Sequence, residues 1–343
     1  MNATPKQTGF FDSFDGTSIY YEVRGKGEPL VFVYGIGCLI NHWNPQLKYF
    51  SENYKTIVLD YRAHNKSDMP DNEKNLTLEA IAKDVQGLLS FLKIPNAHFV
   101  GHSFGAQVLC KTYDLYPDLF KSVTFVNGFV SNPISGMFGS DLPTKAFETI
   151  KSGFELLPDA ISTIWKHSIS SPLAVPLSAL AGGFNLSLTS YKDIEIYARG
   201  LSHMDVKAFI DLFEQMMNYD GGPVLPRIEC PALIIGGKKD AVTPVKHQVH
   251  MHEQIPNSQI TMMPYGSHCT QLDLPEYVNI RIEKFLREVM ESNEKVEATP
   301  ATKRTGKKKS RANKASSKKG TSVKKTKVSV EATSLDAQDS VSK

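Results

Sequence analysis

The pentapeptide Gly101-His102-Ser103-Phe104-Gly105 follows directly on the apolar run Ala97-His98-Phe99-Val100, and no other stretch restricts the fold as strongly. A serine with glycine two residues away on either side fits a sharp strand-to-helix turn. There the backbone is strained, and strand and helix pass too closely for larger side chains. Beyond Gly105, residues 106–113 read as a helix whose unpaired N–H groups would face the serine oxygen and stabilise negative charge. Such a turn presents Ser103 as a nucleophile and predicts an acid and then a histidine further along, each just after a strand. Both are found. Pro231-Ala232-Leu233-Ile234-Ile235-Gly236-Gly237 is a buried-strand run followed by Asp240, with Pro244 starting the next helix, and Ser258–Met263 is a strand run leading to His268.

Taken together, these motifs resemble the alpha/beta-hydrolase fold superfamily, in its serine-esterase-like branch with an inserted helical cap, over residues 9–290. Tyr34-Gly35-Ile36-Gly37, after the strand Leu30–Val33, matches the loop that supplies one oxyanion N–H, with Tyr34 where the family usually has His. The resemblance implies an oxyanion hole made by the N–H groups of Ile36 and Phe104. Asp60-Tyr61-Arg62-Ala63-His64-Asn65-Lys66-Ser67 resembles the family's D-x-R-G-x-G-x-S turn, with Ala63 and Asn65 in place of its glycines. Asn tolerates left-handed angles, so the turn is expected to survive. Asp273-Leu274-Pro275-Glu276 resembles the acidic-proline step into the last helix.

The implied fold is α/β: a mostly parallel eight-stranded sheet flanked by helices, with a helical cap and a disordered basic C-terminal tail. The implied chemistry has Ser103 as nucleophile, His268 as base and Asp240 orienting the imidazole, cleaving a carboxylic ester, or a thioester or amide, through an acyl-enzyme. No metal or organic cofactor is required. A serine nucleophile argues against the alkyl-enzyme chemistry of epoxide hydrolases and dehalogenases. An acyltransferase or a carbon–carbon bond hydrolase would use the same three residues, and a ligand-binding protein could keep the fold without turnover.

Hydrophobic patterning gives the boundaries. Phe10–Ser13 and Ser18–Arg24 flank the hairpin signal Phe14-Asp15-Gly16, and Leu78, Ile81, Val85, Leu88, Leu89 and Leu92 mark a helix that Pro95 ends. Val278, Ile282, Phe285, Leu286 and Val289 mark the final helix. Residues 1–130 and 223–292 are therefore assigned to the catalytic core and 131–222 to a helical cap, too long for a loop in a compact sheet. Its bulky apolar residues, among them Trp165 and Phe184, are expected to pack the cap and partly to line an apolar substrate pocket. Residues 293–343 form the tail. Residues 295–343 carry 14 Lys/Arg and 4 acids, a net of +10, so with +3 over the whole chain the remainder carries −7. The globule should repel polyanions, whereas the tail is suited to non-specific, salt-sensitive contact with nucleic acid or another polyanion.

The first residues lack the apolar core of a signal peptide, and no apolar run reaches spanning length, so a soluble, cytoplasmic protein is expected. Cys38, Cys110, Cys230 and Cys269 form no C-x-x-C pair and are read as reduced thiols. His247, His250 and His252 lack a suitably spaced acidic or thiol partner, so no metal site is assigned. Gly35-x-Gly37 fails as a dinucleotide fingerprint because Ile40 occupies the third glycine position. His102 is read as a packed neighbour of the nucleophile rather than a second base.

Overall fold

The computed structural model describes residues 6–134, 140–171, 175–176, 183–202 and 204–297. Its frame is a sheet of β1 (Lys6–Asp12), β2 (Ser18–Arg24), β3 (Glu28–Val33), β4 (Tyr54–Leu59), β5 (Ala97–His102), β6 (Phe120–Val126), β7 (Ala232–Gly237) and β8 (Ser258–Met263). The eight strands lie in the order β1-β2-β4-β3-β5-β6-β7-β8, which bears out the expected α/β-hydrolase sheet. β1 and β2 form the antiparallel hairpin, and β2 pairs antiparallel with β4. Every later pairing is parallel.

Parallel strands with helices on both faces read as continuous apolar runs. Every residue of β5 and β7 is accordingly buried. Helices α1 (Asn44–Phe50), α2 (Leu78–Phe91) and α3 (Phe104–Leu115) flank the sheet. α2 starts where Thr77 accepts a hydrogen bond from the Ala80 N–H at 3.0 Å. It buries Leu78, Ile81, Val85, Leu88 and Leu89, the stripe expected from the sequence.

Arg62, fully buried in the turn after β4, fastens three parts of the chain. Its guanidinium donates to Asp84 on α2 at 2.6 and 2.8 Å and to Asp15 in the hairpin turn at 2.9 Å. That turn keeps its shape without glycine, since Ala63 and Asn65 adopt φ of 60° and 47°.

Between β6 and β7 the described residues include the helices α4 (Leu142–Leu156), α5 (Pro158–Ser170), α6 (Tyr191–Ser202) and α7 (Val206–Asn218). α7 joins two apolar clusters. Ala208, Leu212 and Met216 belong to the main core, whereas Val206 and Ile210 pack with Ile134 and Phe147 in a small core of the insertion. Past β7 come α8 (Lys246–Gln254), starting two residues after Pro244, and the short α9 (Thr270–Asp273). The last helix, α10 (Pro275–Glu297), runs beyond the boundary drawn at residue 292. Its final turns hold Glu and Lys, good helix formers that an apolar pattern does not register. The basic tail beyond Glu297 lies outside the described residues, and among those described no helix is long and apolar enough to cross a membrane.

Candidate active site

The parallel strands end at one edge of the sheet, where such folds place their ligands, and every candidate residue lies there. Ser103 immediately follows β5, at φ 55° and ψ −122°, a strained conformation for a side-chain-bearing residue. The flanking glycines are required sterically. A Cβ on Gly101 would come within 2.9 Å of the Gly105 carbonyl oxygen, and one on Gly105 within 2.7 Å of that of Val33.

Ser103, His268 and Asp240 are brought together from β5, β8 and β7. His268 Nε2 lies 2.9 Å from Ser103 Oγ, and His268 Nδ1 lies 3.0 Å from Asp240 Oδ2. Asp240 is saturated with donors: Oδ1 accepts from the N–H groups of Val242 (2.9 Å) and Thr243 (2.8 Å). Its Oδ2 also accepts from Thr243 Oγ1 (2.7 Å) and Asn127 Nδ2 (2.8 Å). Burial alone would raise the Asp240 pKa, but the His268 ring and these hydrogen bonds hold it below the usual carboxylate value.

The loop carrying His268 is itself pinned. Asp273 accepts from Ser267 N–H and Oγ–H, both at 2.6 Å, giving the acidic-proline step a structural task. His102 Nε2–H donates to the His268 carbonyl at 2.9 Å, and burial holds the His102 pKa far below its ordinary value, leaving a neutral ring. It is the packed neighbour expected.

The loop after β3 runs against the serine: a Cβ on Gly35 would lie 3.2 Å from Ser103 Cβ. Ile36 N–H belongs to this loop, and Phe104 N–H opens α3, where no preceding helical carbonyl can accept it. Tyr34 supports the loop in a manner the motif did not foretell. Its hydroxyl donates to Asp60 Oδ1 and accepts from the Tyr61 N–H, each at 3.0 Å, while Tyr61 Oη–H donates to the Tyr34 carbonyl at 2.8 Å. His64 Nδ1–H donates to the Arg62 carbonyl at 3.1 Å, leaving Nε2 to accept the Gly37 N–H at 3.2 Å.

These buried groups make stability pH-dependent. Burial pushes His42, His64 and His98 from an ordinary value of 6.5 down to about 4. The folded chain thus holds fewer protons than the unfolded chain between those values, and stability falls as pH drops through this window. Asp60 acts oppositely, since burial raises it from 3.8 to about 6, and offsets one of the three. Each tenfold change in proton affinity is worth about 1.4 kcal/mol, so a net loss of several kcal/mol is expected on going from pH 6.5 to pH 4, the interval these histidines span. Thermal melts across that range test this, and a constant Tm would contradict it.

A cavity of about 90 Å³ opens over Ser103, bounded by Ile36, Cys38, Phe129, Ile134, Tyr197, Phe213, Met216, Val242 and Cys269, among others. Trp165 and Phe184 do not line it. Trp165 packs on Phe209 at 5.2 Å and donates its indole N–H to the Met204 carbonyl. Phe184 lines a separate cavity of about 780 Å³ with Tyr191, Ile194 and Tyr265. Among groups the sequence reading missed, Tyr197, Asn127 and Thr243 stand out, as nothing local marks them. Burial pushes the Cys38 thiol up to about 12 and Cys269 well above its ordinary value, so both remain neutral. His252 Nδ1 lies 2.8 Å from Ser258 Oγ, and the His247 ring lies edge-on to Phe129.

A family profile described as alpha/beta hydrolase fold matches residues 28–275. RutD of Stutzerimonas stutzeri, a protein assigned as a carbamate hydrolase, is 28% identical over 268 residues, covering 76% of this chain and 94% of its own. The (E)-2-((N-methylformamido)methylene)succinate hydrolase of Acinetobacter baylyi is 23% identical, covering 79% and 94%. Among solved structures, a thermophilic esterase from Thermogutta terrifontis superposes with a TM-score of 0.65 at 21% identity, over 82% of this chain and 99% of that one.

Proposed function

This chain belongs to the alpha/beta-hydrolase fold family, and from that membership we propose that it is a serine hydrolase cleaving a carboxylic ester through an acyl-enzyme on Ser103. The observation that carries the reading is the line Ser103 Oγ–His268–Asp240, at 2.9 and 3.0 Å. His268 Nε2 takes the Ser103 proton as the oxygen attacks the carbonyl carbon. Charge forming on the carbonyl oxygen is met by the N–H groups of Ile36 and Phe104, reinforced by the N-terminus of α3. The imidazolium gives its proton to the leaving alcohol, and a water activated by the same ring releases the acid. Asp240 keeps Nδ1 protonated throughout, so that Nε2 is the basic nitrogen.

A carbamate reading is favoured by the RutD likeness and uses the same steps. Turnover of matched p-nitrophenyl ester, carbamate, anilide and thioester substrates decides between them. The ester is expected to give the highest kcat/KM. A carbamate preference would replace the ester reading, and no turnover of any acyl substrate would overturn both.

A further inference from the structure

We propose that the cavity over Ser103 selects substrates whose acyl group is short and uncharged, about two to four carbons long. The proposal rests on Ser103 being the nucleophile. With the carbonyl carbon at Ser103 and its oxygen toward Ile36 and Phe104, we place the acyl arm in the cavity over Ser103, a space of about 90 Å³. An apolar cavity of about 150 Å³ accommodates one benzene. By proportion, this one holds about three or four non-hydrogen atoms.

The wall resists widening. Phe129 and Met216 belong to the main core and are 1% and 3% exposed. Phe213 is wedged between Phe147 and Phe209, with ring centroids at 4.7 and 5.4 Å. Such packing gives way only when several side chains move together. The larger cavity reaches Ser267, but neither Ser103 nor His268 is in its wall.

Charge selects in the same direction. Among the described residues no Lys or Arg lines the Ser103 cavity. The nearby carboxylate of Asp240 is negative and has its donors already. An acyl group carrying a carboxylate would be desolvated there without a cation and repelled by Asp240.

The test is a kcat/KM profile of the full chain on p-nitrophenyl acetate, butyrate, hexanoate, octanoate and hemisuccinate, run beside labelling with a small alkyl fluorophosphonate. The optimum is expected at acetate or butyrate, with octanoate at least about tenfold lower and hemisuccinate at least about a hundredfold below butyrate. Met216→Ala and Phe213→Ala should each move the optimum to longer chains; the wild-type profile stands on its own where a variant fails to fold. A labelled enzyme that prefers octanoate, or cleaves hemisuccinate as fast as butyrate, would overturn the proposal while leaving the nucleophile assignment standing. Absence of both labelling and turnover would instead defeat that assignment, and this proposal with it.

Discussion

Ser103→Ala is expected to lower kcat on an activated ester by on the order of a millionfold, with only the residual catalysis of the oxyanion donors and binding remaining. The substitution removes one hydroxyl at a site 8% exposed, so the fold should survive and the loss should fall on chemistry. Ser103→Gly should be equally inactive but more stable than the parent by about 1 kcal/mol. Glycine relieves the strain of φ 55°, against a smaller gain in unfolded-state entropy. Turnover of either variant within tenfold of the parent would remove Ser103 from the mechanism.

Asp240→Asn is expected to be severe but milder, on the order of ten-thousandfold in kcat, because the imidazole is held in the wrong tautomer while the nucleophile and oxyanion donors remain. The geometry also disfavours a neutral replacement. One oxygen of Asp240 accepts from two backbone N–H groups, and the other faces Thr243, Asn127 and His268, of which only the Asn127 amide is bound to donate. Turned toward the backbone pair, the NH₂ would meet two donors; turned toward His268, it donates to Nδ1 and fixes the tautomer with the proton on Nε2, while Asn127 loses its acceptor, so a stability loss of about 1–3 kcal/mol should accompany the rate loss. Kinetics and thermal melts on the same sample separate the two. A rate loss below tenfold in a folded variant would show that Asp240 does not orient His268.

The part of the site legible in the sequence is the part whose chemistry demands a local pattern. The Ser103 turn needs glycines at fixed offsets, and Asp240 and His268 follow apolar strand runs, so periodicity and punctuation located them. The mostly parallel sheet was legible for the same reason, whereas its eight strands were implied by the family resemblance. Asn127 and Thr243 left no such trace, because their hydrogen bonds to Asp240 depend on how β6 and β7 lie side by side. The support of the β3 loop was half visible. Tyr34 could be seen to break the pattern, but that its hydroxyl reaches Asp60 is a fact of packing. In the inserted helices bulk was a poor guide: Trp165 packs among neighbouring helices, while Tyr197, Phe213 and Met216 form the wall over Ser103. An amphipathic pattern tells which face is buried, not which cavity it closes.

Whether Ser103 is the activated nucleophile of this fold is decided by treating the full chain with a small alkyl fluorophosphonate and mapping the adduct by peptide mass spectrometry. One phosphonyl group per chain is expected, on Ser103, with ester turnover falling in proportion to its occupancy. An adduct on another residue such as Cys269, or no adduct in a preparation that turns over esters, would contradict it.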